Sequence, residues 1–191
     1  MSGPYVHLHL HSEYSLLDST IRIPALVAAA AAAGMPAVAV TDESNLFALV
    51  KFYRAAEKAG IKPIAGCDAW VADPAGAPYR LTLLCQDRSG YRNLSVLLSR
   101  AYRERRGERV FLKREWLDER NAGLVALVGP HSDVGALLRG GRDDAAHAAL
   151  AHWRRCFDQR LYLELTRLKR AEDEGYLGAA RQIMTAADKI R

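Results

Sequence analysis

The sequence predicts an α/β fold, and three observations carry that expectation. Apolar runs of strand length alternate with helical patterns along the 191 residues. The first run, residues 6–11, alternates apolar residues with histidines, which is the period of an extended strand. Polar residues cluster where the runs end: His9 and His11, then Asp18, Asp42 or Glu43, and Asp68. Strand ends are where α/β folds keep their sites.

In the first strand, His7, His9 and His11 share one face, and Val6, Leu8 and Leu10 point into the opposite layer. Three of the six histidines lie here, which favours a metal site over a solvated strand edge. Residues 24–33 read as a helix: Pro24 suits its first turn, the alanines favour it and Gly34 stops it. Residues 35–41 form a buried parallel strand ending in Thr41-Asp42-Glu43. Residues 45–59 form a helix with Leu46, Leu49, Val50 and Tyr53 on one face, closed by Gly60. Residues 62–71 are the third strand, carrying Asp68. A turn at 73–76 leads to the fourth strand, 79–85. The order β-α-β-α-β-β calls for at least one tight strand-to-strand return within a mainly parallel barrel.

Residues 91–106 form a helix ending in Arg100, Arg103, Arg105 and Arg106, with Arg109 just beyond. These cations read as a solvated helix end that complements the macrodipole. A surface for an acidic partner or DNA phosphates is the alternative. A short helix follows at 113–120, with Trp116 and Leu117, then a strand at 123–128. Ser132 or Asp133 caps a helix at 134–138, which Gly140-Gly141 breaks. Residues 145–157 are helical, 161–165 form a strand holding Glu164, and 173–190 form the last helix. No repeat, linker or domain boundary interrupts residues 1–191, so one domain is expected. A βα barrel follows each helix with a strand, so the barrel is expected to be one strand short and the chain a piece of a longer protein.

Hydrophobic residues make up 50% and charged residues 26%, the balance of a soluble globular protein. No apolar run spans a bilayer and no signal peptide opens the chain, so a cytoplasmic location without membrane partners is expected. Three widely spaced cysteines fit a reducing compartment and exclude zinc-finger pairing. A net charge of +5 permits nucleic-acid contact without establishing it.

The segment His9-Leu10-His11-Ser12-Glu13-Tyr14-Ser15-Leu16-Leu17-Asp18 resembles the first motif of the PHP (polymerase and histidinol phosphatase) superfamily. Met35-Pro36-Ala37-Val38-Ala39-Val40-Thr41-Asp42 resembles its second. The runs Leu49-Val50-Lys51-Phe52-Tyr53 and Gly60-Ile61-Lys62-Pro63-Ile64-Ala65-Gly66-Cys67-Asp68 are similar to the N-terminal PHP domain of the bacterial DNA polymerase III alpha subunit family. Gly90-Tyr91-Arg92-Asn93-Leu94 and Tyr162-Leu163-Glu164-Leu165 fit the same family.

The resemblance implies a distorted seven-stranded βα barrel, incomplete at the C-terminus. It implies metal positions at His9, His11, Asp18 and Asp68, the last where a Glu is usual. Glu43 and Arg80 stand where the family has His, Pro130 where it has Cys, and Leu168 where it has His. The implied site is vestigial: His9, His11, Asp18, Glu43 and Asp68 remain, and Arg80 substitutes for lost metal charge. No cofactor is expected beyond at most one weak Zn or Mn ion. The longer chain would be a DNA-directed DNA polymerase, a nucleotidyltransferase using Mg in a domain beyond this one and contacting DNA as an intact enzyme. This domain would be a structural module that docks the proofreading exonuclease subunit and the remaining domains of its own chain. The alternative is an active metal-dependent phosphoesterase or 3′–5′ exonuclease; a free-standing histidinol-phosphatase-like enzyme is disfavoured.

Overall fold

In the computed structural model, residues 5–73, 76–105, 107–165 and 171–188 are described. Helix α1 (Ile23–Ala32) buries Ile23, Leu26, Val27 and Ala30, the spacing of one helical face, and ends before Gly34 at a φ of +66°. Strand β1 (Ala37–Val40) is buried throughout. Helix α2 (Leu49–Lys58) follows, then β2 (Lys62–Ala72) and β3 (Tyr79–Cys85). Helix α3 (Arg88–Arg103) is capped by Asp87, whose carboxylate accepts from Gly90 N. Strand β4 (Leu112–Lys113), α4 (Arg114–Glu119), β5 (Leu124–Val128) and α5 (Asp133–Arg139) come next. Then come α6 (Asp143–Phe157), β6 (Leu161–Leu163) and α7 (Ala171–Asp188).

The strands form one curled sheet in the order β1-β2-β3-β5-β6, with β4 beside β2. Strand β2 pairs with β1 through its first residues and with β3 through its later ones. Gly66 sits at that changeover. A Cβ there would lie 2.8 Å from Leu83 O and from the side chains of Thr41 and Leu84, so only glycine fits. The main core joins β2, β3 and β5 to α3, α4, α5 and α6 around Trp153, Leu83 and Leu94. A second cluster joins α1, β1 and α2 around Ile23, Val38 and Phe52.

The sheet is mainly parallel: among the described strands β3 alone is reversed, running antiparallel to both β2 and β5 after the expected tight return. Other expectations need correction. Residues 6–11 are not a regular strand. His7 O accepts from Ala39 N and Leu10 O from Thr41 N, each at 2.8 Å, so three residues advance against two on β1. The extra residue breaks the alternation, as a bulge does. Leu8 is therefore exposed, while Leu10 packs on the α1–β1–α2 cluster. Helix α2 starts at Leu49 because Asn45 forms a turn, its Oδ1 accepting from Phe47 N. Its buried residues are Phe52 and Ala56, whereas Val50 and Tyr53 face outward. Helix α3 starts earlier than expected, at its Asp87 cap, and β4 had no sequence signal beyond two residues. Ser132, not Asp133, caps α5 by accepting from Gly135 N.

At the Arg-rich end of α3, Arg100 and Arg109 are engaged within the molecule, while Arg103 and Arg105 are exposed. Arg100 pairs with Glu104 at 3.0 Å and lies over the Trp116 ring, and Arg109 lies over Trp70. Arg106 lies outside the described residues. No helix among the described residues is long and apolar enough to cross a membrane.

Candidate metal centre

The antiparallel course of β3 explains how the site assembles. The C-terminal ends of β1, β5 and β6 point to one mouth, and β3 enters the sheet at that same mouth, carrying Arg80 and Thr82 on one face. His9 and His11 arrive on the bulged segment beside β1. The result is a cleft of about 420 Å3 lined by His9, His11, Asp18, Asp68, Arg80 and Glu164, with Pro130 and His131 on its wall.

Asp68 is the hub and is 1% exposed. Its Oδ2 lies 3.2 Å from His11 Nε2, 3.5 Å from His9 Nε2 and 3.3 Å from an Arg80 guanidinium nitrogen. Its Oδ1 accepts from the Thr82 hydroxyl at 3.2 Å. The far nitrogen of each imidazole faces another carboxylate. His9 Nδ1 donates to both oxygens of Glu164, at 2.8 and 3.0 Å, and His11 Nδ1 donates to Asp18. Such carboxylate partners fix a ring's orientation and direct its other nitrogen inward. Glu164 is itself held: its N donates to Val128 O, and its carbonyl accepts from Tyr176 OH of α7.

These contacts set the charges. Burial opposes protonation of His9, but hydrogen bonds to Asp68 and Glu164 outweigh it and raise its pKa to about 10. His11 is also raised: burial opposes the shift, and Asp68 and Asp18 overcome it. Burial alone would raise the Asp68 pKa; His11, His9 and Arg80 instead hold it far below the usual carboxylate range. His131 moves the other way, lowered by burial and by Arg80 and Arg139.

His9, His11, Glu43, Asp68 and Arg80 thus lie close together, with Asp18 on the outer side of His11. Glu43 lies at the rim, 3.8 Å from Arg80. Pro130 lines the cleft; Leu168 lies outside the described residues. Asp42, the alternative to Glu43, is turned away. It accepts from Ser12 N, Ser12 Oγ and Ser15 Oγ, each at 2.7 Å, and pins the loop that carries Asp18. Three contributors escaped the sequence reading: Glu164, Thr82 and His131. Thr82 lies two positions after Arg80 and so shares its face, which the strand period could have revealed.

One donor each from His9, His11 and Asp68 lie within 4.8 Å of one another, a set that fits a single divalent ion. Three protein ligands plus water suffice for zinc.

Comparison with known families matches residues 7–168 to the PHP domain. The chain belongs to the PHP domain family. Curated relatives of this PHP chain include the DNA polymerase III subunit alpha of Xylella fastidiosa, 45% identical over 95% of the chain. Those of Pseudomonas fluorescens and Escherichia coli are 44% and 43% identical over 100% and 97% of it. The chain spans only 16–17% of these relatives' length. Among solved structures, an amidohydrolase from Chromobacterium violaceum, with sulfate bound and no metal, aligns with a TM-score of 0.63. It shares 13% identity, covering 96% of this chain and 83% of that one. A Bifidobacterium adolescentis protein, provisionally described as a metal-dependent phosphoesterase, aligns with a TM-score of 0.51 at 14% identity. That match covers 94% of this chain and 83% of the other. Both likenesses bear on the fold, which the curled sheet matches as an incomplete barrel.

Proposed function

We propose that this chain is the PHP domain of a replicative DNA polymerase alpha subunit, and that its metal site has been converted into a charge-balanced structural core. The observation that carries this reading is the Arg80 guanidinium 3.3 Å from Asp68 Oδ2, the oxygen that both imidazoles also face. A fixed cation there takes the place of metal charge and repels an incoming ion. His9, His11, Asp18, Glu43 and Asp68 are the remnant of the ligand set, and Arg80 is its charge substitute. Pro130 brings no donor to the wall it lines. One divalent ion, Zn or Mn, could be held weakly at His9, His11 and Asp68. Two-metal phosphoester chemistry needs ligands for a second ion, so hydrolysis is not expected.

The whole chain would be a cytoplasmic DNA-directed DNA polymerase, its Mg-dependent nucleotidyl transfer and DNA binding lying in other domains of that chain. The names and coverage of the relatives support this. This domain would serve as a docking platform for the proofreading exonuclease subunit. In support, Phe47 and Val50 form an exposed stripe on one side of α2 and its entry, and Leu16 and Leu17 are exposed on the loop before Asp18.

The decisive experiment is elemental analysis after equilibration with zinc and manganese, together with a nucleotide-release assay on DNA. The expected result is at most one ion per chain and no release above background. Arg80→His, which restores a donor and removes the cation, should raise metal retention. Metal-dependent release by the wild type, lost in His9→Ala, would instead establish a phosphoesterase.

A further inference from the structure

Helix α3 carries four arginines, Arg88, Arg92, Arg100 and Arg103, and not one acidic residue. Its buried face is Gly90, Leu94, Leu97, Leu98 and Ala101. Arg88, Arg92, Ser95, Ser99 and Arg103 recur at helical spacing on the opposite face. They line an open groove along the helix, with Tyr91 and Val96 at its edge. That groove shares Arg103 and Glu104 with a second one, bordered by Arg105, Arg109 and Phe111.

Glu104 is the one acid on the two walls among the described residues, and it is spent on Arg100 at 3.0 Å and Lys113 at 2.8 Å. The walls hold seven cations against it, a surplus of six where the whole chain has a surplus of five, so the positive charge of the molecule is concentrated here. The acids next along the chain are Asp87, which already accepts from Gly90 N and Ser89 Oγ, and the exposed Glu108. Arg88, Arg92, Arg103 and Arg105 have no ion-pair partner among the described residues.

This placement works against the helix itself. Arg88 stands in the first turn, where the macrodipole favours an anion. Arg88 and Arg92 are one turn apart, and like charges at that spacing are destabilising. Complementing the macrodipole accounts for Arg100 and Arg103 but not for these two, so their balance comes from an anionic partner. A protein partner needs a buried apolar centre, and this face offers only Tyr91 and Val96 at its edge. A nucleic-acid single strand instead takes a cationic track with an aromatic ring for a base. Tyr91 is 44% exposed beside Arg92, and the small Ser95 and Ser99 keep the track low between the arginines. By the helical rise, Arg88 to Arg103 spans about 22 Å.

We propose that this face of α3 is a docking track for single-stranded DNA, with the backbone on Arg88, Arg92, Arg103 and Arg105 and a base stacked on Tyr91. The choice of DNA over RNA rests on the polymerase reading; the docking itself rests on the charges alone. The track is separate from the histidine cleft and uses no metal.

The test is fluorescence anisotropy of a labelled oligothymidylate of about 20 nucleotides, titrated with metal-free protein at several salt concentrations, with a thermal melt of each variant. With four phosphates neutralised, log affinity should fall against log salt with a slope of about −3, a loss of about fiftyfold between about 50 and 200 mM. Arg92→Ala should weaken binding and flatten the slope to about −2. Tyr91→Ala should weaken binding about tenfold at every salt concentration and leave the slope unchanged. Arg88→Glu gives an independent readout. It puts an anion at the helix N-terminus one turn before Arg92, so the protein should melt at the same or a higher temperature while affinity falls at least about tenfold. Absence of oligothymidylate binding at low salt would overturn the proposal. So would a slope and affinity that Arg92→Ala and Arg88→Glu leave unchanged, or affinity that falls in His11→Ala instead, which would put the strand in the histidine cleft. Duplex DNA or a polyglutamate peptide binding as tightly as oligothymidylate, or oligouridylate binding more tightly, would overturn it as well.

Discussion

Replacing Arg80 by Ala tests whether this cation holds the site together. The guanidinium nitrogen lies 3.3 Å from Asp68 Oδ2, with Arg80 17% and Asp68 2% exposed at the side chain. At an effective dielectric near 20, that separation corresponds to a gross attraction of about 5 kcal/mol. Removing one partner of a buried pair typically costs about 3–5 kcal/mol, because the remaining charge is stranded. Asp68 is not fully stranded here, since His9, His11 and Thr82 stay beside it. The expected loss is therefore smaller, about 2 kcal/mol at pH 7, with the Arg80–Trp70 ring contact adding up to about 1 kcal/mol. Urea unfolding of metal-free protein would measure it, with the exposed Arg103→Ala as a control expected within about 0.5 kcal/mol of wild type. The loss should grow at pH 10, where His9 gives up its proton and Asp68 leans more on Arg80. An Arg80→Ala protein as stable as the control, or a loss that shrinks with rising pH, would refute the argument.

The cluster also sets the pH profile of the metal-free protein. His9 is raised in the fold to about 10, so its contribution is complete below its unfolded pKa of about 6.5 and is lost as the pH climbs toward 10. Asp68 is lowered, so its contribution is present above about pH 4 and is lost in acid. Stability should therefore fall between about pH 6.5 and 10, and urea midpoints for His9→Gln should fall less steeply over that range. In α2, Phe52→Ala should cost about 3–5 kcal/mol and the outward-facing Val50→Ala less than about 0.5, measured by the same method. Gly90→Ala should destabilise by at least about 1–3 kcal/mol, because its Cβ would fall 1.9 Å from Gly123 O where α3 packs against the entry to β5. A wild-type melting temperature for that variant would count against the close approach.

What the sequence made legible follows from how local each signal is. Pro24 and Gly34 bracket α1 and the run 79–85 delimits β3, because each depends on residues within the element. The alternation of residues 6–11 misled at Leu8, since it takes a one-residue slip against β1, a non-local event, to break it. Val50 and Tyr53 satisfied a helical spacing as well as Phe52 and Ala56 did; which stripe is buried depends on where α1 and β1 lie. At the site, His9, His11 and Asp68 could be named from motif residues, and Arg80 by its place in the pattern. Glu164 could not, because its role comes from β5–β6 pairing and the Tyr176 anchor of α7, which join distant segments.

Charge balance ties the site's parts together. Among the described residues, four carboxylates, Asp18, Glu43, Asp68 and Glu164, face one guanidinium and two imidazoles. With both rings protonated, three positive charges meet four negative ones, and burial of Asp68 is tolerable without metal. A divalent ion at His9, His11 and Asp68 would need both Nε2 positions deprotonated, so it would release protons as it bound. Metal and protons are thus alternative solutions to the same electrostatic problem, and Arg80 favours the protons. The guanidinium is a fixed cation, so an ion must meet its repulsion even after the imidazoles have given up their protons. Metal affinity should consequently rise with pH yet stay weak until Arg80 itself is replaced, which is why the Arg80→His protein discriminates so sharply between a vestigial site and a working one.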